Sequence, residues 1–126
     1  MSVLLGLSRR IPIVKNADAQ TAPDALDSWI DSLSRTCENQ TQDPDLRILD
    51  SNGRYSYGML MFQADTWNRY VTKFNLLPDA EPAEYINLIN DGALQKRLAK
   101  LMIEDNYEAW RNWTNCTLHK VGMPPK

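Results

Sequence analysis

A chain of 126 residues, 43% hydrophobic and 24% charged, is long enough to bury one core without metals or several cross-links. Its formal net charge of −2 excludes the basic surface that nucleic acid or an anionic membrane requires, so no nucleic-acid partner is expected. Apolar runs of only a few residues exclude a membrane-spanning helix.

The opening stretch MSVLLGLSRR is apolar first and charged afterwards, the wrong order and length for a signal peptide, so an export signal is not evident. Residues 1–20 have no clear period and read as an N-terminal arm or linker. The first helix is predicted to begin near Thr21, where Thr21-Ala22-Pro23-Asp24 fits a variant capping box with proline early in the first turn. Leu26, Trp29, Ile30, Leu33 and Cys37 follow at helical spacing on one apolar stripe. Glu38 falls at the helix end, about 100° round from Cys37, at the border of that stripe. Asn39 and the pre-proline Asp43 stop the helix.

Leu46, Ile48 and Asp50 alternate with Arg47 and Leu49 before Ser51-Asn52-Gly53, and Tyr55, Tyr57 and Met59 follow. This pattern predicts a short hairpin, with Asn52-Gly53 suited to the positive φ of a tight turn. Helices are predicted around Trp67, Tyr70, Val71 and Phe74, then around Tyr85 to Ile89, closed by Asn90-Asp91-Gly92. Another carries Leu94, Leu98, Leu101 and Met102, with the run Gln95-Lys96-Arg97-Leu98-Ala99-Lys100 read as a solvated face. Tyr107, Trp110 and Trp113 suggest a last turn before Cys116, and residues 119–126 read as a flexible tail. The expected architecture is mainly α, one helical domain over residues 21–118 with a small β-hairpin between its first and second helices.

The two cysteines, Cys37 and Cys116, are either buried thiols or a disulfide closing a loop of about 80 residues. The inward-facing stripe position of Cys37, and the burial expected of Trp110 and Trp113 beside Cys116, favour the disulfide. No metal site is expected, since His119 is the only other soft ligand. Asn39-Gln40-Thr41, Asn112-Trp113-Thr114 and Asn115-Cys116-Thr117 match the glycosylation acceptor pattern, and sugars there would fall beside Glu38 and across Cys116. That points to a bacterial or phage origin.

Glu38 is the leading candidate for chemistry. A helix C-terminus disfavours negative charge, and partial burial raises a carboxylate pKa further. A carboxylic acid kept protonated near neutral pH is what a general acid at a glycosidic oxygen requires.

With Glu38 ending a helix and Asp50-Ser51-Asn52-Gly53-Arg54-Tyr55-Ser56-Tyr57-Gly58-Met59-Leu60-Met61-Phe62 following, the chain resembles the lysozyme-like superfamily, and within it the bacterial and phage lytic transglycosylase (SLT-like) group. That group's pattern is a Glu ending the first helix, then Ser-x-Gly-Leu-(Leu/Met)-Gln-(Phe/Ile) and a Thr soon after, here Thr66. The resemblance covers about residues 24–75 and extends loosely to Trp110–Cys116. It implies an α+β lysozyme-like fold and cleavage of the β-1,4 bond between N-acetylmuramic acid and N-acetylglucosamine in peptidoglycan, with no cofactor. Glu38 would be the general acid, Gly58 would let backbone approach the sugar, and Ser56 would orient Glu38 or the substrate N-acetyl group. Met59, Leu60, Met61 and Phe62 would line the floor, Gln63 would add a substrate contact, and Tyr85 or Tyr107 could supply a further tyrosine. Tyr55 and Tyr57, two tyrosines on a solvent-facing hairpin, are candidates for sugar stacking and for a rigid cleft wall facing Glu38. Two departures stand out: Met61 occupies the family's Gln position, with Gln63 two residues later, and the Ala-Tyr-Asn-x-Gly segment of many transglycosylases is absent.

A second acid decides the reaction. Asp50 on the hairpin is the candidate, with Asp43 and Asp45 nearer Glu38 in sequence, each otherwise a turn-former. Without it, the substrate's acetamido group would act and leave an anhydro product; with it, hydrolysis by a positioned water becomes possible. The expected partner is a glycan strand met by a monomer in the periplasm, the cell wall or outside the cell. The alternative is a catalytically weak module that binds cell-wall glycan within a secretion or phage assembly.

Overall fold

The computed structural model describes residues 24–126. The predicted arm, and the helix start at Thr21, lie outside the described residues.

Helix α1 spans Ala25–Leu33 behind Asp24, whose carboxylate accepts from the Asp27 amide at 2.7 Å while Asp27 caps the Asp24 amide in return. The capping box is therefore Asp24 with Asp27. Trp29, Ile30 and Leu33 bury one stripe as the period requires. The helix does not simply stop. Ser34–Glu38 form a wider π-helical turn, closed by the Asn39 amide donating to the Ser34 carbonyl at 2.8 Å.

Three short strands follow: β1 Arg47–Leu49, β2 Tyr55–Tyr57 and β3 Phe62–Gln63. They form one antiparallel sheet in the order β1-β2-β3, with Ile48 opposite Ser56 and Ser56 opposite Gln63. The hairpin predicted from the Asn52-Gly53 turn is β1-β2; the third strand, only two residues long, carries too little alternation to be read from sequence. Helix α2 spans Ala64–Phe74 and ends at Asn75 in the left-handed region (φ +50°). Pro82–Leu88 form a 3-10 helix, α3 spans Gly92–Asp105, and a second 3-10 helix covers Tyr107–Trp113. The single turn α4, Thr114–Cys116, runs into another π-helical turn at Thr117–Val121. The fold is mainly α with one small antiparallel sheet, and no helix among the described residues is long and apolar enough to cross a membrane.

The core joins Ile30 and Leu33 of α1, Trp67 and Val71 of α2, and Leu98 and Met102 of α3 to Leu60, Phe62 and Trp113. Phe62 packs edge-on against both Trp67 and Trp113, with ring centroids 5.8 and 5.6 Å apart. Three tryptophans also use their indole N–H. Trp29 donates to the Gly122 carbonyl, Trp67 to Tyr85 and Trp113 to Leu60.

Two surface expectations are corrected. Gln95 opens the run read as a solvated face, yet it is fully buried. Its Oε1 accepts from the Leu60 amide at 2.7 Å, and its Nε2 donates to the carbonyls of Tyr57 and Ile89. Lys96 and Lys100 of the same run reach across to α1, pairing with Asp31 and with Asp24 and Asp27. The tail read as flexible from residue 119 is docked. Residues to Val121 are helical, and the Gly122 and Pro124 carbonyls accept from Trp29 and from the Tyr107 hydroxyl.

Cys37 and Cys116 form a disulfide with Cα atoms 5.8 Å apart and a sequence separation of 79. It ties the π turn after α1 to the last helical turns. Loop-closure entropy sets its contribution at up to about 4 kcal/mol, so the Cys37→Ser, Cys116→Ser double variant should melt well below the oxidised protein, and a scan showing equal melting temperatures would refute this. Gln95→Leu should cost about 2 to 4 kcal/mol, because it strands the buried Leu60 amide, the buried Ile89 carbonyl and the partly buried Tyr57 carbonyl at once; chemical denaturation measures it.

Candidate functional site

The three-stranded sheet, the π turn after α1 and the Asn112–Cys116 segment enclose a cleft of about 550 Å³. Glu38 stands on the helical wall and is half-buried. The disulfide sits beside it on the same wall: a Glu38 carboxylate oxygen and both sulfurs lie within 4.8 Å of one another. These three donor atoms are the one group among the described residues with metal-ligand spacing, but both sulfurs are engaged with each other, which leaves a single carboxylate.

Burial raises the Glu38 pKa from an ordinary 4.5 to about 7, and the negative charge of Asp50 adds to the rise. Partial burial, expected at the border of the apolar stripe, accounts for the direction; the Asp50 contribution is new. Asp50 follows β1 and projects from the opposite wall. Its backbone is held by the turn it begins, donating to the Arg54 carbonyl and accepting from the Gly53 amide. Its Oδ2 accepts from Ser56 Oγ and, at 2.8 Å, from Gln63 Nε2.

Strand alternation explains which predicted residues meet here. Ile48, Ser56 and Gln63 are register partners, so they share one face, and all three line the cleft. Tyr55 and Tyr57 flank Ser56 and therefore point to the other face, where the Arg47 guanidinium covers the Tyr55 ring at 4.1 Å. The expectation that these tyrosines form the wall facing Glu38 is corrected, since a period of two cannot present Ser56 and both its neighbours to one side. Ser56 does orient a carboxylate, but that carboxylate is Asp50 and not Glu38.

Gly58 is also reassigned. It has φ +81°, and a Cβ built on it would lie 2.6 Å from Gln95 Nε2. The missing side chain thus makes room for a buried amide, not for a sugar. Met59 is turned inward as well: its thioether packs where a Gly92 Cβ would sit, and its carbonyl accepts from Ser34 Oγ. Tyr85 is a core residue whose carbonyl receives the Trp67 indole N–H. Met61, Phe62 and Gln63 do line the cleft, and Met61 holds a left-handed backbone at φ +53°. Asp43 and Asp45 form a turn away from the cleft, with the Asp45 amide bonded to Asp43 Oδ1.

Thr66, Asn112 and Asn115 complete the lining and were not marked as site residues. Thr66 was visible in the motif. Asn112 and Asn115 carried a usable signal in their spacing, because residues three apart on a helical turn share a face. No family model, curated protein or solved structure matches this chain.

The raised Glu38 pKa links the site to stability. The folded state holds this proton more tightly than the unfolded chain, so its contribution to stability is present below about pH 4.5 and is lost as pH rises through about 7. Glu38→Gln removes the ionisation. Its melting temperature relative to wild type should therefore increase between about pH 5 and about pH 8, and a pH-independent difference would contradict the assignment.

Proposed function

We propose that the protein cleaves the glycan strand of peptidoglycan at the β-1,4 bond between N-acetylmuramic acid and N-acetylglucosamine. The observation that carries this reading is a half-buried Glu38, protonated up to about pH 7, in one cleft with the hydrogen-bonded carboxylate of Asp50. The resemblance of the Glu38-to-Phe62 stretch to the lytic transglycosylase group supplies the substrate class.

Glu38 donates its proton to the leaving glycosidic oxygen as the bond to the anomeric carbon breaks and positive charge develops on the sugar ring. Its partial burial keeps the proton in place until a basic oxygen arrives. Asp50 accepts from Ser56 and Gln63, and its charge stabilises the sugar cation and orients an attacking water. A second carboxyl group lining the same cleft as the acid favours hydrolysis over formation of an anhydro end. Asn112, Asn115 and Thr66 offer polar contacts to the hydroxyl and acetamido groups of the sugars. A disulfide beside the acid suits an oxidising compartment, so the proposed place of action is the periplasm, the cell wall or the exterior.

Mass analysis of products from purified peptidoglycan tests the reaction. Reducing ends are expected. Anhydro ends would transfer the role of Asp50 to the substrate, and intact glycan that still retains the protein would make this a binding module, a reading that Met61 at the family's Gln position favours. Glu38→Gln should lower the cleavage rate by at least about a hundredfold while keeping the fold, and the wild-type rate should fall as pH rises past about 7.

A further inference from the structure

Asp50 is held asymmetrically. Both of its side-chain hydrogen bonds, from Ser56 Oγ and Gln63 Nε2, end on Oδ2, and Oδ1 has no partner among the described residues. The second donor belongs to a larger arrangement. Gln63 Nε2 also lies 3.3 Å from Asn52 Oδ1, while Asn52 Nδ2 donates back to Gln63 Oε1 at 3.2 Å. Asn52 is itself fixed by the hairpin turn, its Oδ1 accepting from the Arg54 amide at 3.0 Å. The side-chain amide of Gln63 is thus oriented from the turn before it meets Asp50. Its own backbone is fixed by pairing opposite Ser56, so the two donors converge on one oxygen from neighbouring strands.

We infer that Gln63 is a positioning residue for Asp50, acting with Ser56 to fix one carboxylate oxygen so that the other faces the cleft. This deepens the glycosidase reading above and rests on it. A carboxylate on a surface turn would otherwise rotate freely about its last side-chain bond and present either oxygen at any angle. Two donors on Oδ2 leave Oδ1 directed at the space between the walls, where a water or a developing sugar cation would lie. Gln63 then needs no contact with sugar to matter. The amide that the family pattern places at position 61 has its counterpart here two residues later, where it serves the second carboxylate.

The test is a double-mutant cycle on solubilised glycan strands. Gln63→Leu and Gln63→Met keep the bulk of the side chain and remove its donor. In the wild-type background each should lower kcat about tenfold with KM changed less than about twofold. In an Asp50→Asn background the same change should cost less than about twofold, because a residue that acts through Asp50 has nothing left to position. An equal loss in both backgrounds would make Gln63 merely structural, and a rise in KM with kcat intact would make it a sugar contact; either overturns the inference, as would an Asp50→Asn protein as active as wild type. Should the Gln63 variants fail to fold by near-ultraviolet circular dichroism, Ser56→Ala removes the other donor and carries the same cycle. A wild-type chain that releases no fragments defeats the glycosidase reading itself, which is visible before any variant is made.

Discussion

Four buried side chains hold the backbone between β2 and β3, and the site depends on them. From Tyr57, the last residue of β2, the chain turns through Gly58, Met59 and Leu60 against the core, where an unpaired carbonyl would be costly. Each carbonyl in this stretch finds a side-chain donor: Gln95 at Tyr57, Asn39 at Gly58, Ser34 at Met59 and Trp113 at Leu60. Gln95 also accepts from the Leu60 amide, and the Gly58 amide donates to the Leu46 carbonyl. The donors come from α1 and its π turn, from α3 and from the second 3-10 helix. One irregular segment therefore fixes three helical elements relative to the sheet. Losing the Trp113 donor costs more than the bond itself, because the buried Leu60 carbonyl left behind has no water to turn to.

The cleft follows from that arrangement. Gly58 is buried under Gln95, so the chain can emerge at Met61 only through a tight turn, and Met61 takes the left-handed conformation that such a turn demands. Phe62 is then driven inward between Trp67 and Trp113, and Gln63 is turned outward opposite Ser56. The alternation that buries Phe62 is the same one that delivers Gln63 to Asp50. Core packing and the polar side of the cleft share a single register, so a slip of one residue would destroy both.

How far the sequence shows this can be judged residue by residue. Helical periodicity located α1, α2 and α3, and the Asn52-Gly53 pair located the hairpin, because both are local signals written in consecutive side chains. The cysteine pair was legible because Cys37 lies on a stripe that faces inward. What sequence could not show was non-local. Gln95 looks solvated within a run of charges, and only the carbonyls of Tyr57 and Ile89, distant or out of period, give its amide a reason to be buried. Gly58 was legible as a constraint but not for its cause, since backbone crowding by a buried glutamine and approach by a ligand require the same residue. The tyrosines misled for a simpler reason. Aromatic residues on a short hairpin suggest a binding platform, but alternation had already assigned Ser56, and with it the cleft, to the opposite face.

The two carboxyl groups are secured by different physics, and this divides their vulnerabilities. Glu38 is placed through covalent structure: it adjoins Cys37, and the disulfide anchors that turn to Cys116. No donor among the described residues reaches its carboxyl group, which is consistent with burial being the larger cause of its high pKa. A donor there would stabilise the anion and undo the effect. Asp50 is placed by two hydrogen bonds from uncharged side chains, Ser56 and Gln63, both ending on one carboxylate oxygen. Reduction therefore threatens the orientation of the acid, whereas changes to the sheet face threaten the orientation of its partner. The division is economical in structural terms: a proton donor needs a dry and immobile seat, which a cross-link beside a helix end provides, and a carboxylate that must hold its direction needs donors, which the pleated face of a sheet presents at fixed spacing.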